Sequence, residues 1–271
     1  MTGAYLSFLT DFGGDTAPAV CRGVIWSILP DARINDLTHT SRPFGVRDAA
    51  FLLWSAVPFV PVGVHLAVVD PGVGTARRPI ALQSARGDRF VGPDNGLLVP
   101  AAERLGGVVA ARALENRALW RDAVSHTFHG RDIFAPVAAH LAAGLAIEEV
   151  GPAIEPSDLV QVAFPGSRLR NGGLDTSVLF VDTFGNCRLA GDIEDLAALR
   201  GRLEPGDRFT VGIGADSHEI AWQPTFGAVA AGDLLLYDDA DYAGLAIGLN
   251  QGSAAERLGL STDTAIRVEP A

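Results

Sequence analysis

Val64-His-Leu-Ala-Val-Val-Asp70, closed by Pro71-Gly72, is the most strand-like run in the first half of the chain, and it ends on a carboxylate. Upstream, Tyr5–Asp11 is a second apolar run that turns polar at Thr10 and Asp11 before Gly13-Gly14. Asp15 is placed to cap a helix running to about Leu29, where Pro30 stops it. Arg33–Leu37 reads as a short strand, and Val46–Ala56 has helical spacing. Downstream, Leu97–Leu105 and Ile133–Leu145 read as helices. Strands alternating with helices predict an α/β domain with a largely parallel sheet. The pattern changes after Ala163. Phe164–Gly173 is polar, Gly-rich and contains Pro165, so it reads as a linker. Beyond it, Thr176–Asp182, Arg208–Ile213, Glu219–Ala221, Asp233–Tyr237 and Leu245–Leu249 are short β-type runs separated by Gly, Asp and Pro. They predict a small β-barrel or sandwich. The expected organisation is therefore an N-terminal α/β domain over 1–163, a linker over 164–173 and a C-terminal β domain over 174–271.

Composition narrows the function. The chain has 271 residues, 48% of them hydrophobic and 20% charged, which suits a folded protein of one large or two modest domains. Lys and Arg number 21 against 32 Asp and Glu, a net charge of −11, so a nucleic-acid backbone would meet like charge. No apolar run reaches the roughly 20 residues that a bilayer crossing needs. The start of the chain lacks the basic residues and small-residue cleavage site of a signal peptide. Cys21 and Cys187 offer neither a zinc spacing nor a disulfide framework and read as buried thiols. A cytoplasmic protein acting on a small molecule is expected, with no nucleic-acid or membrane partner.

Ligands in α/β sheets sit off the carboxyl ends of strands. Asp11, Asp36–Ser41 and Asp70 fall at such ends, and Ser125–Asp132 and Asp182–Asn186 are further polar clusters. Each has a plain structural reading. Asp11 can close a turn, and Asp70-Pro-Gly-Val-Gly74 can be a tight reversal. The latter is neither a phosphate loop nor a dinucleotide fingerprint, because no Gly-Lys-Ser/Thr follows and a third glycine is missing. His39, His65 and His140 read as structural. His126, His129 and Asp132 are a weak metal pattern.

Seven motifs in order carry more weight: Thr10-Asp-Phe-Gly13, Asp36-Leu-Thr-His39, Val68-Val-Asp-Pro-Gly-Val-Gly74, Pro93-Asp-Asn-Gly-Leu-Leu98, Thr127-Phe-His-Gly-Arg-Asp132, Asp182-Thr-Phe-Gly-Asn186 and Asn250-Gln-Gly-Ser-Ala-Ala-Glu256. Over nearly its whole length the chain resembles the S-adenosyl-L-methionine hydroxide adenosyltransferase family, which is related to the fluorinase and chlorinase that use the same substrate. The resemblance implies an α/β domain followed by a small β-barrel. It also implies a homotrimer, with the ligand held between the N-terminal domain of one subunit and the C-terminal domain of its neighbour. The expected reaction is hydrolysis of S-adenosyl-L-methionine to adenosine and L-methionine, with no cofactor and no metal.

The hydrolase branch is marked by an Asp–Arg–His set that falls on Asp70, Arg77 and His129. The fluorinase has Tyr in place of this Asp and of this His, and a halide-binding Ser where this chain has Gly130. The chlorinase shares the glycine. The fluorinase also carries an inserted loop that Arg77–Phe90 is too short to hold. Water is therefore the expected nucleophile. A chlorinase making 5′-chloro-5′-deoxyadenosine and a non-catalytic adenosine-binding protein are the alternatives. By the same resemblance, Asp11 accepts the ribose hydroxyls and Phe44 forms an apolar wall. Asp182 receives the methionine ammonium, Asn186 pairs with the adenine edge and Phe184 stacks on the purine. The main chain at Leu249–Gln251 reaches the adenine amino group. The family's Ser-containing carboxylate turn is replaced by Tyr237–Tyr242, where Asp241 and Tyr242 take the contact positions and Tyr242 is the expected partner.

Overall fold

A computed structural model of the chain describes residues 4–239 and 244–271. They form two units, divided between Ala163 and Phe164. The first unit contains β1 (Tyr5–Thr10), α1 (Ala17–Ile28), β2 (Arg33–Thr38), α2 (Val46–Ala56), β3 (Val64–Val68), β4 (Pro79–Ser84), β5 (Arg89–Pro93), α3 (Val99–Arg104), β6 (Val108–Ala113) and α4 (Ala135–Ala142). Its sheet runs β2-β1-β3-β5-β4-β6. The first four strands are parallel, and β4 is antiparallel to both neighbours. Every residue of β3 is buried, as a parallel strand covered on both faces requires. Leu6, Phe8, Leu66 and Val68 share one core with Cys21 and Ile25 of α1 and with Val137, Ala138 and Leu141 of α4. The register Leu6↔Val64 through Thr10↔Val68 brings the carboxyl ends of β1 and β3 level. Asp11 and Asp70 therefore leave the sheet from adjacent strand ends.

Two local expectations change. Asp15 does not cap α1. Thr16 stands at the cap position, and Pro18, with its fixed φ, opens the helix. The helix predicted over Ile133–Leu145 is shorter, and a π-helical turn, Gly130–Phe134, precedes it. The Ala135 amide reaches back to the Gly130 carbonyl, which widens the turn by one residue.

The second unit contains β7 (Arg168–Arg170), β8 (Gly173–Val181), β9 (Cys187–Leu189), α5 (Ile193–Ala198), β10 (Arg208–Ile213), β11 (Asp216–Trp222), β12 (Leu234–Asp239), β13 (Gly244–Leu249), α6 (Ala254–Leu258) and β14 (Ala265–Pro270). The stretch read as a linker thus contributes a strand, with β7 paired to β8. The sheet order β14-β10-β11-β12-β13-β9-β8 closes through a β14–β8 pairing, giving a seven-stranded barrel. Period-two alternation sorts β13: Leu245 and Ile247 enter the barrel core, while Ala246 joins Leu235 and Tyr237 on the outer face. Cys21 and Cys187 are free and buried, and burial pushes both thiols up to about 12, which makes them unreactive.

Candidate active site

Asp70 follows β3 and opens the loop that carries Arg77. Arg77 grips the carboxylate with two donors: Nε donates to Oδ1 at 3.0 Å, and Nη2 donates to Oδ2. Both side chains are buried, at 8% and 5% exposure. Nη2 also lies 3.3 Å from Nδ1 of His129, and the guanidinium sits over the Phe134 ring. A guanidinium only donates, so Nδ1 is the acceptor and the proton of the neutral ring is on Nε2. Arg77 Nη1 is enclosed and has no acceptor among the described residues.

Local sequence brings these three side chains together. At Gly74, φ is +78° and a Cβ would lie 2.6 Å from the His126 carbonyl oxygen, so only glycine lets the Asp70–Arg77 loop press against the loop before His129. The latter loop is pinned by buried Asp132, which accepts from Arg131 and from the Ser125 amide. Burial would raise the Asp132 carboxyl, but these donors outweigh it and hold it below the usual range. His129 is the residue just before the π turn. Burial first, and the Arg77 charge second, lower the His129 pKa, so the imidazole is neutral at pH 7.

Asp11 lies beside this cluster. Its Oδ2 accepts the Phe44 amide at 2.9 Å, and Phe44 adopts a left-handed backbone (φ 63°) with its ring exposed. The segment leading to Phe44 is tied to the end of β1. His39 Nδ1 lies 2.9 Å from the Thr10 hydroxyl, the Gly13 amide donates to the His39 carbonyl, and the Ser41 hydroxyl donates to the Thr10 carbonyl. Asp11, Phe44, Asp70 and His129 line one cavity of about 240 Å³, with Phe12, Phe128 and Gly130 on its wall.

The second unit holds another cavity, of about 660 Å³, lined by Asp182, Phe184, Asn186 and Leu249. Asp182 builds its own loop: Oδ1 accepts the amides of Phe184 and Asn186, and Oδ2 accepts from Asn186 Nδ2, all at 2.9 Å. Phe184 is exposed. Arg188, Phe226, Tyr237 and Asp239 also line this cavity and escaped the sequence reading. The signal that could have found two of them is the alternation of β13, whose outward Ala246 pairs with Tyr237 on one side and Arg188 on the other. Tyr242 and Asp241, the expected carboxylate contacts, lie outside the described residues.

Two other constellations are set aside by geometry. Ser7, His65 and Asp88 have the connectivity of a hydrolytic triad, with Ser7 Oγ 2.7 Å from Nδ1 and Nε2 2.9 Å from Asp88, but all three are fully buried in the sheet. The Asp132 oxygens are committed to Arg131 and Ser125, which disposes of the His126–His129–Asp132 metal pattern. Among the described residues, no group of three or more His, Cys, Asp or Glu could hold a metal ion. No helix among them is long and apolar enough to cross a membrane.

Comparison with known proteins gives a consistent result. The family model described as the SAM hydroxide adenosyltransferase N-terminal domain matches residues 6–151, and that of the C-terminal domain matches residues 176–267. The chain is 47% identical over 270 residues, covering 97% of both sequences, to the (R)-S-adenosyl-L-methionine hydrolase of Salinispora tropica. A fluorinase from Actinoplanes is more distant, 30% identical over 64% of this chain and 66% of its own length. Among solved structures, an uncharacterized conserved protein from Thermotoga maritima superposes with a TM-score of 0.91 at 37% identity, over 97% of this chain and 99% of that one.

Proposed function

The chain belongs to the SAM hydroxide adenosyltransferase family, and from that premise we propose that it is an (R)-S-adenosyl-L-methionine hydrolase forming adenosine and L-methionine. The observation that carries the reading is Arg77 bridging Asp70 and His129 at a strand end beside Asp11.

The water oxygen forms a bond to the ribose 5′ carbon while the C5′–S bond breaks. Its electron pair goes to sulfur, the sulfonium charge disappears, and methionine leaves as a neutral thioether that needs no proton. The attacking water loses one proton, which passes to solvent water. The difficulty is the nucleophile, since bulk water has a pKa of about 15.7. The Arg77 guanidinium is cationic and supplies fixed donors to the developing hydroxide. At 4 Å and an effective dielectric of 20, two unit charges attract by about 4 kcal/mol. Asp70 cancels part of that field, so the direction of the N–H groups counts for more than net charge. Asp70 holds the guanidinium plane. His129 presents a neutral imidazole, which does not repel the cationic substrate.

In the same reading Asp11 accepts the ribose hydroxyls with the lone pairs that the Phe44 amide leaves, and Phe44 walls the sugar. Phe184 stacks on the purine, with Phe226 as a further ring. Asn186 and the main chain at Leu249 meet the adenine edge, and Asp182 Oδ2 receives the ammonium. Tyr242 stays the proposed carboxylate contact of the turn. The catalyst uses no metal or cofactor, works in the cytoplasm, and assembles as a homotrimer with sites at subunit interfaces. Sedimentation of the purified chain tests the trimer.

Incubation with S-adenosyl-L-methionine in ¹⁸O-water tests the reaction. Equal amounts of methionine and of adenosine labelled at the 5′ oxygen are expected. A different nucleoside product, or unlabelled adenosine, overturns the assignment.

A further inference from the structure

We infer that Arg188 reads the α-carboxylate of the substrate's methionine portion, an inference that rests on the hydrolase reading above. Ala246 of β13 pairs with Arg188 of β9 on one side and with Tyr237 of β12 on the other. Tyr237, Ala246 and Arg188 therefore form a row across the strands with a low centre. Gly244 and Gly248 flank Ala246 on the same face. A Cβ at Gly248 would come within 2.6 Å of the Phe226 ring and 3.1 Å of Asn186 Oδ1. Phe226 therefore packs directly over Gly248 beside Asn186 and against Tyr237, with the Phe226 and Tyr237 ring centroids 5.0 Å apart.

Among the described residues that line this cavity, Arg188 is the one cation, between the carboxylates of Asp182 and Asp239. Its side chain is 7% exposed. Nε donates to Asp239 Oδ2 at 2.8 Å, Nη2 lies 4.0 Å from Asp182 Oδ2, and the Phe180 ring lies 6.0 Å from the guanidinium carbon. Desolvating a guanidinium is costly unless it is paired, and here the pairing also fixes its plane. A planar fork held in one orientation recognises a carboxylate better than any other side chain does. The charges match as well. Two carboxylates against one guanidinium make the cavity anionic, and the methionine portion brings an ammonium and a sulfonium against a single carboxylate. Ammonium to Asp182 and carboxylate to Arg188 give each end of the amino acid an opposite partner.

The test compares S-adenosyl-L-methionine with its decarboxylated analogue, S-adenosyl-3-(methylsulfanyl)propylamine, on the wild-type chain, Arg188→Gln and Arg188→Lys. The wild type should favour the intact substrate in kcat/KM by about 10- to 10²-fold, the worth of a charge-assisted hydrogen bond. Arg188→Gln should lose about that factor on the intact substrate and change little on the analogue. Arg188→Lys should recover part of the preference. Equal wild-type kcat/KM for the two substrates, a measurement that needs no variant, overturns the assignment. So does an equal loss on both substrates in Arg188→Gln, which would mark a merely structural ion pair. A wild-type chain that releases no adenosine from either compound fails at the hydrolase reading, before Arg188 is in question.

Discussion

Replacing Arg77 with lysine separates what a guanidinium does from what a positive charge does. Arg77 makes two donor contacts to Asp70 and one to His129. An ammonium keeps the charge but cannot grip both carboxylate oxygens in one plane and also reach the imidazole. A hydrogen bond to a charged group is worth about 1.5–3 kcal/mol. At about 1.36 kcal/mol per tenfold in rate, losing one such contact in the transition state lowers kcat by about 10²-fold. KM should stay within about threefold, because the contact is not made to the bound ground state. Arg77→Ala is a blunter change. It strands the Asp70 carboxylate, which is 5% exposed, and should destabilise the fold by about 3–5 kcal/mol. The assay is chromatographic release of adenosine at saturating substrate, with a thermal melt of each variant beside it. A lysine variant that melts like the wild type and keeps kcat within about threefold would remove the fork from the mechanism.

Because burial and Arg77 lower the His129 pKa, kcat/KM should hold as pH falls through the ordinary histidine range of about 6.5 and decline only below it; an acid limb at or above that range refutes the neutral-imidazole role. Gly74→Ala puts a Cβ against the His126 carbonyl at a positive φ, so activity should drop by at least about 10-fold with a lower Tm, and wild-type values for both would contradict the loop packing. Burial opposes ionisation of Asp88, but the hydrogen bonds and charges of His65 and Arg86 hold its carboxyl well below the usual range. Its stabilisation is therefore full above the ordinary carboxylate pKa and is lost as pH falls towards the folded value, so the Tm gap between wild type and Asp88→Asn should narrow in acid; a gap independent of pH refutes this. Chelator should leave turnover unchanged, and high chloride should yield no chlorinated nucleoside; loss of activity in the first or a dominant 5′-chloro product in the second would redirect the chemistry.

The parts of the fold that depend on local pattern were legible in the sequence. Tyr5–Asp11 and Val64–Asp70 read as strands because their apolar runs end on polar residues, and α2 occupies the predicted Val46–Ala56. Asp11 and Asp70 could be placed at strand ends for the same reason. Strands β4 and β6 carry no such signal: Ile80-Ala-Leu-Gln83 and Val108-Val-Ala-Ala-Arg112 are short and mixed, and their pairing partner decides their state. The π turn has no signature in Gly130–Phe134, because it depends on where Asp132 is buried and what pins it. Arg188 and Asp239 were invisible because a charge in a β-type run reads as solvated until barrel closure shows what covers it.

Asp11 has two masters. The carboxylate that borders the sugar cavity also anchors the Phe44 amide, and Phe44 stands in a backbone geometry that a bulky side chain avoids when left to itself. Sugar grip and aromatic flank thus draw on a single tether: Asp11→Ala would remove both together, whereas Asp11→Asn keeps an oxygen for the Phe44 amide and gives up only an acceptor for the sugar hydroxyls.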